Sequence, residues 1–113
     1  MREVKFKFWL GHTKKMTYEH TIIEISNAHW DFTEDIIPLQ FTGLKDKNGK
    51  EIYESDIDQD GGRIFYNESI AAFQIDYGGD VDIADMEDVD KWMVVSGNIY
   101  ESPELLNPLN KQS

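Results

Sequence analysis

Three carboxylates at alternating positions form the stretch that most resembles a site for chemistry. Asp56-Ile57-Asp58-Gln59-Asp60-Gly61 fits the first half of a calcium loop. Alternate acids supply the hard oxygen ligands calcium prefers, and the glycine permits a sharp turn. The second half does not follow: the twelfth position is Asn67, and Glu68 comes one residue late. The flanks read as strands, not as the paired helices such a loop needs. Asp56, Asp58 and Asp60 are therefore read as a solvated acidic turn first and as a weak cation site second. A metal-dependent enzyme built on them is the remote alternative.

A second acidic run holds Asp80, Asp82, Asp85, Glu87, Asp88 and Asp90. Crowded carboxylates can attract a divalent ion, imitate the charge of a nucleic-acid backbone, or simply form a wet face. Like charges at neighbouring positions repel, so such a run resists tight folding unless something compensates. Other chemistry has little support. The absence of cysteine excludes disulfides, thiolate zinc sites and thiol nucleophiles. His12, His20 and His29 lack metal-ligand spacing. No serine sits in a nucleophile elbow, and the carboxylates are too numerous to nominate an acid–base pair. Gly61-Gly62 and Gly78-Gly79 read as hairpin turns, not as a phosphate cradle. No catalytic residue and no cofactor is expected.

The formal net charge of −11 is concentrated in one segment. Residues 1–53 hold eight acidic and eight basic side chains; residues 54–90 hold twelve acids against Arg63 alone; residues 91–113 hold two of each. Nucleic-acid binding needs a basic footprint to release counterions, so direct binding is not expected, and anionic membranes are disfavoured equally. The charge suits a solubilising surface, a cation site or a face turned to a basic partner. The opening MREVKFKFW alternates charged and apolar residues where a secretory signal would run apolar. No apolar run nears the roughly 20 residues of a membrane span. A cytoplasmic location is the expectation.

The elements that must position these groups are mostly strands. Val4, Phe6 and Phe8 alternate with Glu3, Lys5, Lys7 and Trp9, which predicts a strand with Trp9 on the charged face. A turn at residues 11–15 leads to a second extended segment. His20–Ile25 is rich in β-branched residues. Ile36–Phe41 reads as extended, with Pro38 limiting it to an edge or an end. Asp46-Lys47-Asn48-Gly49-Lys50 is a strong turn signal, since Asn-Gly supplies positive φ. Gln59-Asp60-Gly61-Gly62 and Tyr77-Gly78-Gly79-Asp80 are further turns. Between and beyond them lie strands at Arg63–Tyr66, Ala71–Tyr77 and Val81–Ile83, with Ala71, Phe73, Ile75 and Tyr77 on one face. Asp85–Lys91 reads as an acidic helix or loop, and Trp92–Val95 as a last strand. Ser102-Pro103-Glu104 carries the signals of a brief helix start. Short strands at close spacing predict a mainly β fold, a small barrel or roll, with an N-terminal β portion over residues 1–40 and a barrel portion over 41–113 forming one compact unit.

Two motifs stand out. Gln40-Phe41-Thr42-Gly43-Leu44-Lys45-Asp46-Lys47-Asn48-Gly49-Lys50-Glu51-Ile52-Tyr53-Glu54 continues to Asp56-Ile57, and Gly97-Asn98-Ile99-Tyr100-Glu101 precedes Pro103-Glu104-Leu105-Leu106. Together with the charged-aromatic start Arg2–Trp9 they resemble the YopX family of small phage and prophage proteins. The resemblance implies an SH3-like barrel in the C-terminal portion, a phage or prophage origin, possible homo-oligomerisation, and no catalytic residue to carry over. Two departures are visible. Ser55 stands where the family usually has glycine, and Asp58-Gln59-Asp60-Gly61-Gly62 replaces a more apolar strand. Physically, Gly43 and Gly49 free the backbone, Asp46 and Asn48 bond nearby amides, and Ile52, Tyr53, Ile57 and Tyr100 anchor the chain.

The function these features favour is a non-catalytic accessory protein that binds a host or phage protein. Trp9, Trp30 and Phe65 are candidate contacts, and Asp80, Asp82, Asp85, Glu87 and Asp88 would steer a basic partner. The alternative is an acidic nucleic-acid mimic that inhibits a host enzyme.

Overall fold

Short runs of alternating side chains, punctuated by Asp–Gly turns, make the described residues mainly antiparallel strand. The computed structural model describes residues 5–11, 13–18, 36–78 and 83–106. Nine strands are described: β1 Phe6–Leu10, β2 Lys15–Tyr18, β3 Ile36–Lys45, β4 Glu51–Tyr53, β5 Asp56–Asp58, β6 Arg63–Asn67, β7 Ala72–Asp76, β8 Ile83–Asp85 and β9 Val95–Asn98. One helical turn, α1, spans Val89–Trp92, and a single 3-10 turn spans Pro103–Leu105. The expected strand at His20–Ile25 lies outside the described residues.

The strands form two sheets, ordered β2-β1-β3-β4 and β8-β7-β6-β5-β9. One of the two antiparallel sheets curls into a half-barrel, so the mainly β, barrel-like fold read from the sequence is the observed one. Its core is Ile52, Ile64, Phe73, Ile75, Val89, Met93 and Val95, with Tyr77, Ala84, Met86 and Trp92 packed on the margin. Each of the fully buried isoleucines adds about 2–3 kcal/mol by leaving water.

β3 joins the two portions. Its first half pairs with β1, setting Phe8 opposite Pro38, and its second half pairs with β4, setting Phe41 opposite Tyr53. Among the described residues Pro38 therefore lies in a half of β3 paired on one side, where a missing N–H is tolerated. The register shifts between Phe41 and Lys45. Gly43 takes φ 88° there, and the Thr42 hydroxyl donates to the Ile52 carbonyl at 2.8 Å. Glycine and a short hydroxyl side chain thus make the bulge and satisfy a carbonyl that the broken ladder leaves over. The boundary drawn at residues 40/41 falls inside this continuous strand.

Three details differ from the sequence reading. The strand expected at Val81–Ile83 is described from Ile83 and runs on to Asp85. Trp92 ends α1 and does not start a strand; the final strand begins at Val95 and runs through Gly97-Asn98. Helical spacing puts Val89 and Met93 together in the core, a pattern too short to show as periodicity. Trp9, on the lysine-bearing face of β1, is only 8% exposed. It stacks on Tyr100, with ring centroids 5.5 Å apart and 24° between planes. Burial along β1 does not alternate, because Phe6 and Phe8 on the opposite face are half-buried as well, so periodicity alone did not say which face turns inward.

Candidate functional site: a polar cleft between the two motifs

The central motif bends sharply after β4. Ser55 takes φ 71°, in the left-handed region. That backbone conformation accounts for the glycine the family usually places there. The bend points Ser55 both ways: its N–H donates to Ile64 at 2.8 Å, and its carbonyl accepts from Ile99 at 3.0 Å. β5 follows at once and pairs with β9, setting Asp56 opposite Asn98 and Ile57 opposite Gly97. The two motifs are thereby hydrogen-bonded neighbours.

The closing motif is held by its asparagine. Asn98 Oδ1 accepts from the Tyr100 and Glu101 N–H groups at 3.0 and 2.9 Å, and Asn98 Nδ2 donates to Glu101 Oε1 at 2.7 Å. A Cβ on Gly97 would meet Leu105 Cδ1 at 2.9 Å and Ser102 Cβ at 3.1 Å, so the chain that returns through Ser102 needs a glycine there. Tyr100 then reaches Trp9 of β1.

These segments and the β1–β2 hairpin enclose an open cleft of about 350 Å³. Lys7, Lys50, Asp56 and Glu101 bring two charges of each sign to it. Asp56 is 1% exposed. Its Oδ2 accepts from the Tyr53 N–H at 2.8 Å, and its Oδ1 faces Lys7 Nζ at 3.4 Å. Lys7 also lies over the Tyr53 ring, 4.5 Å from its centroid. Burial pushes the Asp56 carboxyl above its ordinary range, and Lys7 and the Tyr53 N–H offset this only in part. Burial, with the Glu51 carboxylate alongside, pushes the Tyr53 phenol up to about 12.

The calcium-like stretch has a different meaning. Asp58 Oδ1 accepts from the N–H groups of Asp60 and Gly62 at 2.9 and 2.8 Å, and Oδ2 accepts from the Tyr77 hydroxyl at 2.6 Å. The Asp58 side chain caps its own turn. It is 1% exposed and so is not a solvated group, whereas Asp60 is exposed. Asp56, two residues earlier, turns to Tyr53 and Lys7 instead. Among the described residues no group of three or more acids or histidines is placed to hold a metal ion. The early turn after β5 is what the departure at Asp58–Gly62 produces.

Of the residues expected to make contacts, Asp85, Glu87 and Asp88 are exposed, Phe65 is half-buried, and Trp9 is buried as described. Asp85 Oδ1 accepts from Gln74 Nε2 at 2.8 Å, and Asp88 pairs with Lys91 at 3.7 Å. Asp80, Asp82 and Trp30, like the three histidines, lie outside the described residues. Beside α1 is a second, larger groove of about 710 Å³, lined by Lys45 and Lys47 together with Met86, Asp88 and Asp90. Sequence reasoning named Tyr53 and Asp56 but missed Lys7, Asn98 and Glu101 as neighbours. Their only signal was membership of the two motifs and the charged opening strand.

A family model described as YopX protein matches residues 8–107, a span that contains both motifs and every residue lining the cleft except Lys7. The chain belongs to the YopX family. The crystal structure of protein EF1440 from Enterococcus faecalis is similar to this YopX-family chain, with a TM-score of 0.64 and 24% identity over 94% of this chain and 99% of that one. At that identity the likeness concerns the fold. No curated protein matches the chain. Among the described residues no helix is long and apolar enough to cross a membrane.

Proposed function

We propose that this YopX-family chain is a non-catalytic accessory protein of a phage or prophage that works in the host cytoplasm by binding a protein, a second copy of itself included. The observation that carries this reading is the division of labour among its carboxylates. Asp46, Asp56 and Asp58 are buried and committed to backbone amides, a lysine and a phenol. Asp85, Glu87, Asp88 and Asp90 stay exposed in one short stretch of chain, and Asp88 and Asp90 line the larger groove. The first set builds the scaffold and the second faces outward, where charge steers a basic partner and raises its association rate more than its affinity.

Affinity capture from host cells, repeated across a salt series, tests this. Neutralising Asp80, Asp82, Asp85, Glu87 and Asp88 together should weaken capture and flatten its salt dependence. Capture that is unchanged by the neutralised protein removes steering from the account. If the captured protein is a nucleic-acid enzyme and DNA competes with this chain for it, the acidic margin acts as a mimic of the phosphate backbone. Direct binding of DNA or anionic vesicles is not expected.

A further inference from the structure

The polar cleft holds an ion pair whose charges are matched but whose hydrogen bonds are not. Lys7 Nζ has three donors. Its side chain is 13% exposed, and among the described residues its one oxygen partner is Asp56 Oδ1 at 3.4 Å. A charge-assisted N–H···O bond is ordinarily about 2.7–2.9 Å long. The Asp56 side chain is 2% exposed, and an ionised carboxylate can accept about four bonds. Among the described residues it has one good bond, from the Tyr53 N–H, and the long one from Lys7. Both groups line the same opening, and the four ionic side chains around it sum to zero.

From this geometry we infer that the cleft receives a primary carboxamide, the side chain of an asparagine or glutamine on a partner polypeptide, with its carbonyl on Lys7 and its NH2 on Asp56. A charged group would unbalance a pair already neutral and would lose its own hydration. A neutral group that carries an acceptor and a donor side by side adds the missing bonds without adding charge. A main-chain trans peptide directs its N–H and C=O to opposite sides, so it does not serve both ions at once. Met16 and Tyr18, the latter 57% exposed, form the rim that would cover the aliphatic stem. The inference rests on the reading of the chain as a protein-binding module and names the chemistry of one contact.

The test uses the full isotopically labelled chain and amide-resolved NMR. The probes are the blocked tripeptide N-acetyl-Gly-Gln-Gly-amide, the same tripeptide with Glu, Lys or Leu at its centre, and free uracil, whose ring edge also sets a donor beside an acceptor. The glutamine peptide should give saturable shifts at Lys7, Tyr53, Asn98 and Glu101, with a Kd of about 1 mM, and the other peptides should be weaker by about tenfold or more. Lys7→Met should abolish the shifts. Tyr18→Ala, at an exposed rim position that does not threaten folding, should weaken them by about threefold. The Trp9–Tyr100 stack reports whether each variant remains folded. Equal shifts from all peptides, tighter binding of uracil, or no saturable shift overturns the inference. The salt-dependent capture at the acidic margin does not pass through Lys7 or Asp56, so its survival in Lys7→Met separates failure of the cleft from failure of the wider reading.

Discussion

Two turns in this protein are built to one local plan and used for different long-range ends. In Asp46-Lys47-Asn48-Gly49-Lys50 the leading N–H donates to Lys50 at 2.8 Å, and Gly49 donates back to the Asp46 carbonyl at 3.0 Å. In Asp58-Gln59-Asp60-Gly61-Gly62 the matching bonds, to Gly62 and from Gly61, are 2.9 and 3.1 Å. Each aspartate gives Oδ1 to the N–H groups two and four residues on. Each glycine takes positive φ, 81° and 80°. The difference lies in Oδ2. In Asp46 it accepts the Val95 N–H at 2.9 Å, and the turn is further fixed by Lys47 N donating to Met93 at 3.0 Å. In Asp58 it accepts the Tyr77 hydroxyl. One turn fastens the start of β9 through rigid backbone, and the other fastens β7 through a side chain that can rotate. The same five-residue device should therefore tolerate change in one place and not in the other.

The largest contrast should come from replacing each acid by its amide. Asp46→Asn has one oxygen for the turn, and its NH2 faces the Val95 N–H, donor against donor. We expect a loss of about 3 kcal/mol in urea denaturation. Next in size is the fifth position. A Cβ on Gly62 would lie 2.6 Å from both Ile75 Cγ2 and Tyr77 Cε1, so Gly62→Ala should cost about 2 kcal/mol by overpacking, while Lys50→Ala at the equivalent exposed place should stay within about 0.5 kcal/mol. Asp58→Asn should cost only about 1 kcal/mol, because the Tyr77 hydroxyl can turn and accept from the new NH2. Equal losses for the two amide variants would show that the Oδ2 partners do not distinguish the turns.

Two smaller effects concern the corner between the turns. Ser55 carries the positive φ found at Gly49 and Gly61 without being glycine, so Ser55→Gly should stabilise the fold by about 0.5 kcal/mol, read as a rise in Tm. A fall would mean that the Ser55 side chain contributes more than its backbone conformation costs. The pH dependence separates Asp46 from Asp56. Burial tends to raise the Asp46 carboxyl, but the N–H groups of Val95, Lys50 and Asn48 and the Lys50 charge hold it below 3.8. Its stabilisation is present above 3.8 and is lost as pH falls through its folded value. Asp56 lies above 3.8 when folded, so its ionisation costs stability at neutral pH and that cost is relieved as pH falls toward 3.8. The stability of the native chain relative to Asp56→Asn should rise over that upper window, and relative to Asp46→Asn it should fall only below 3.8. Parallel profiles for the two pairs would contradict the opposite environments assigned to these acids.

The sequence by itself determined the mainly β fold, the turns and the family. Those signals are local: an aspartate and the amides two and four residues later, a glycine that must take positive φ, an alternation over five residues. It suggested a cation loop at Asp56–Asp60 because the spacing of acids is visible, whereas the amides and hydroxyl that occupy them are not. Only the tertiary structure decided that Asp46 reaches Val95, 49 residues away, that Asp58 reaches Tyr77, 19 residues away, and that Lys7 of the first strand meets Asp56. It also decided that Trp9 turns inward to Tyr100. Contacts at such separations depend on how distant segments of the chain are brought together, and no periodicity within a single strand carries that information.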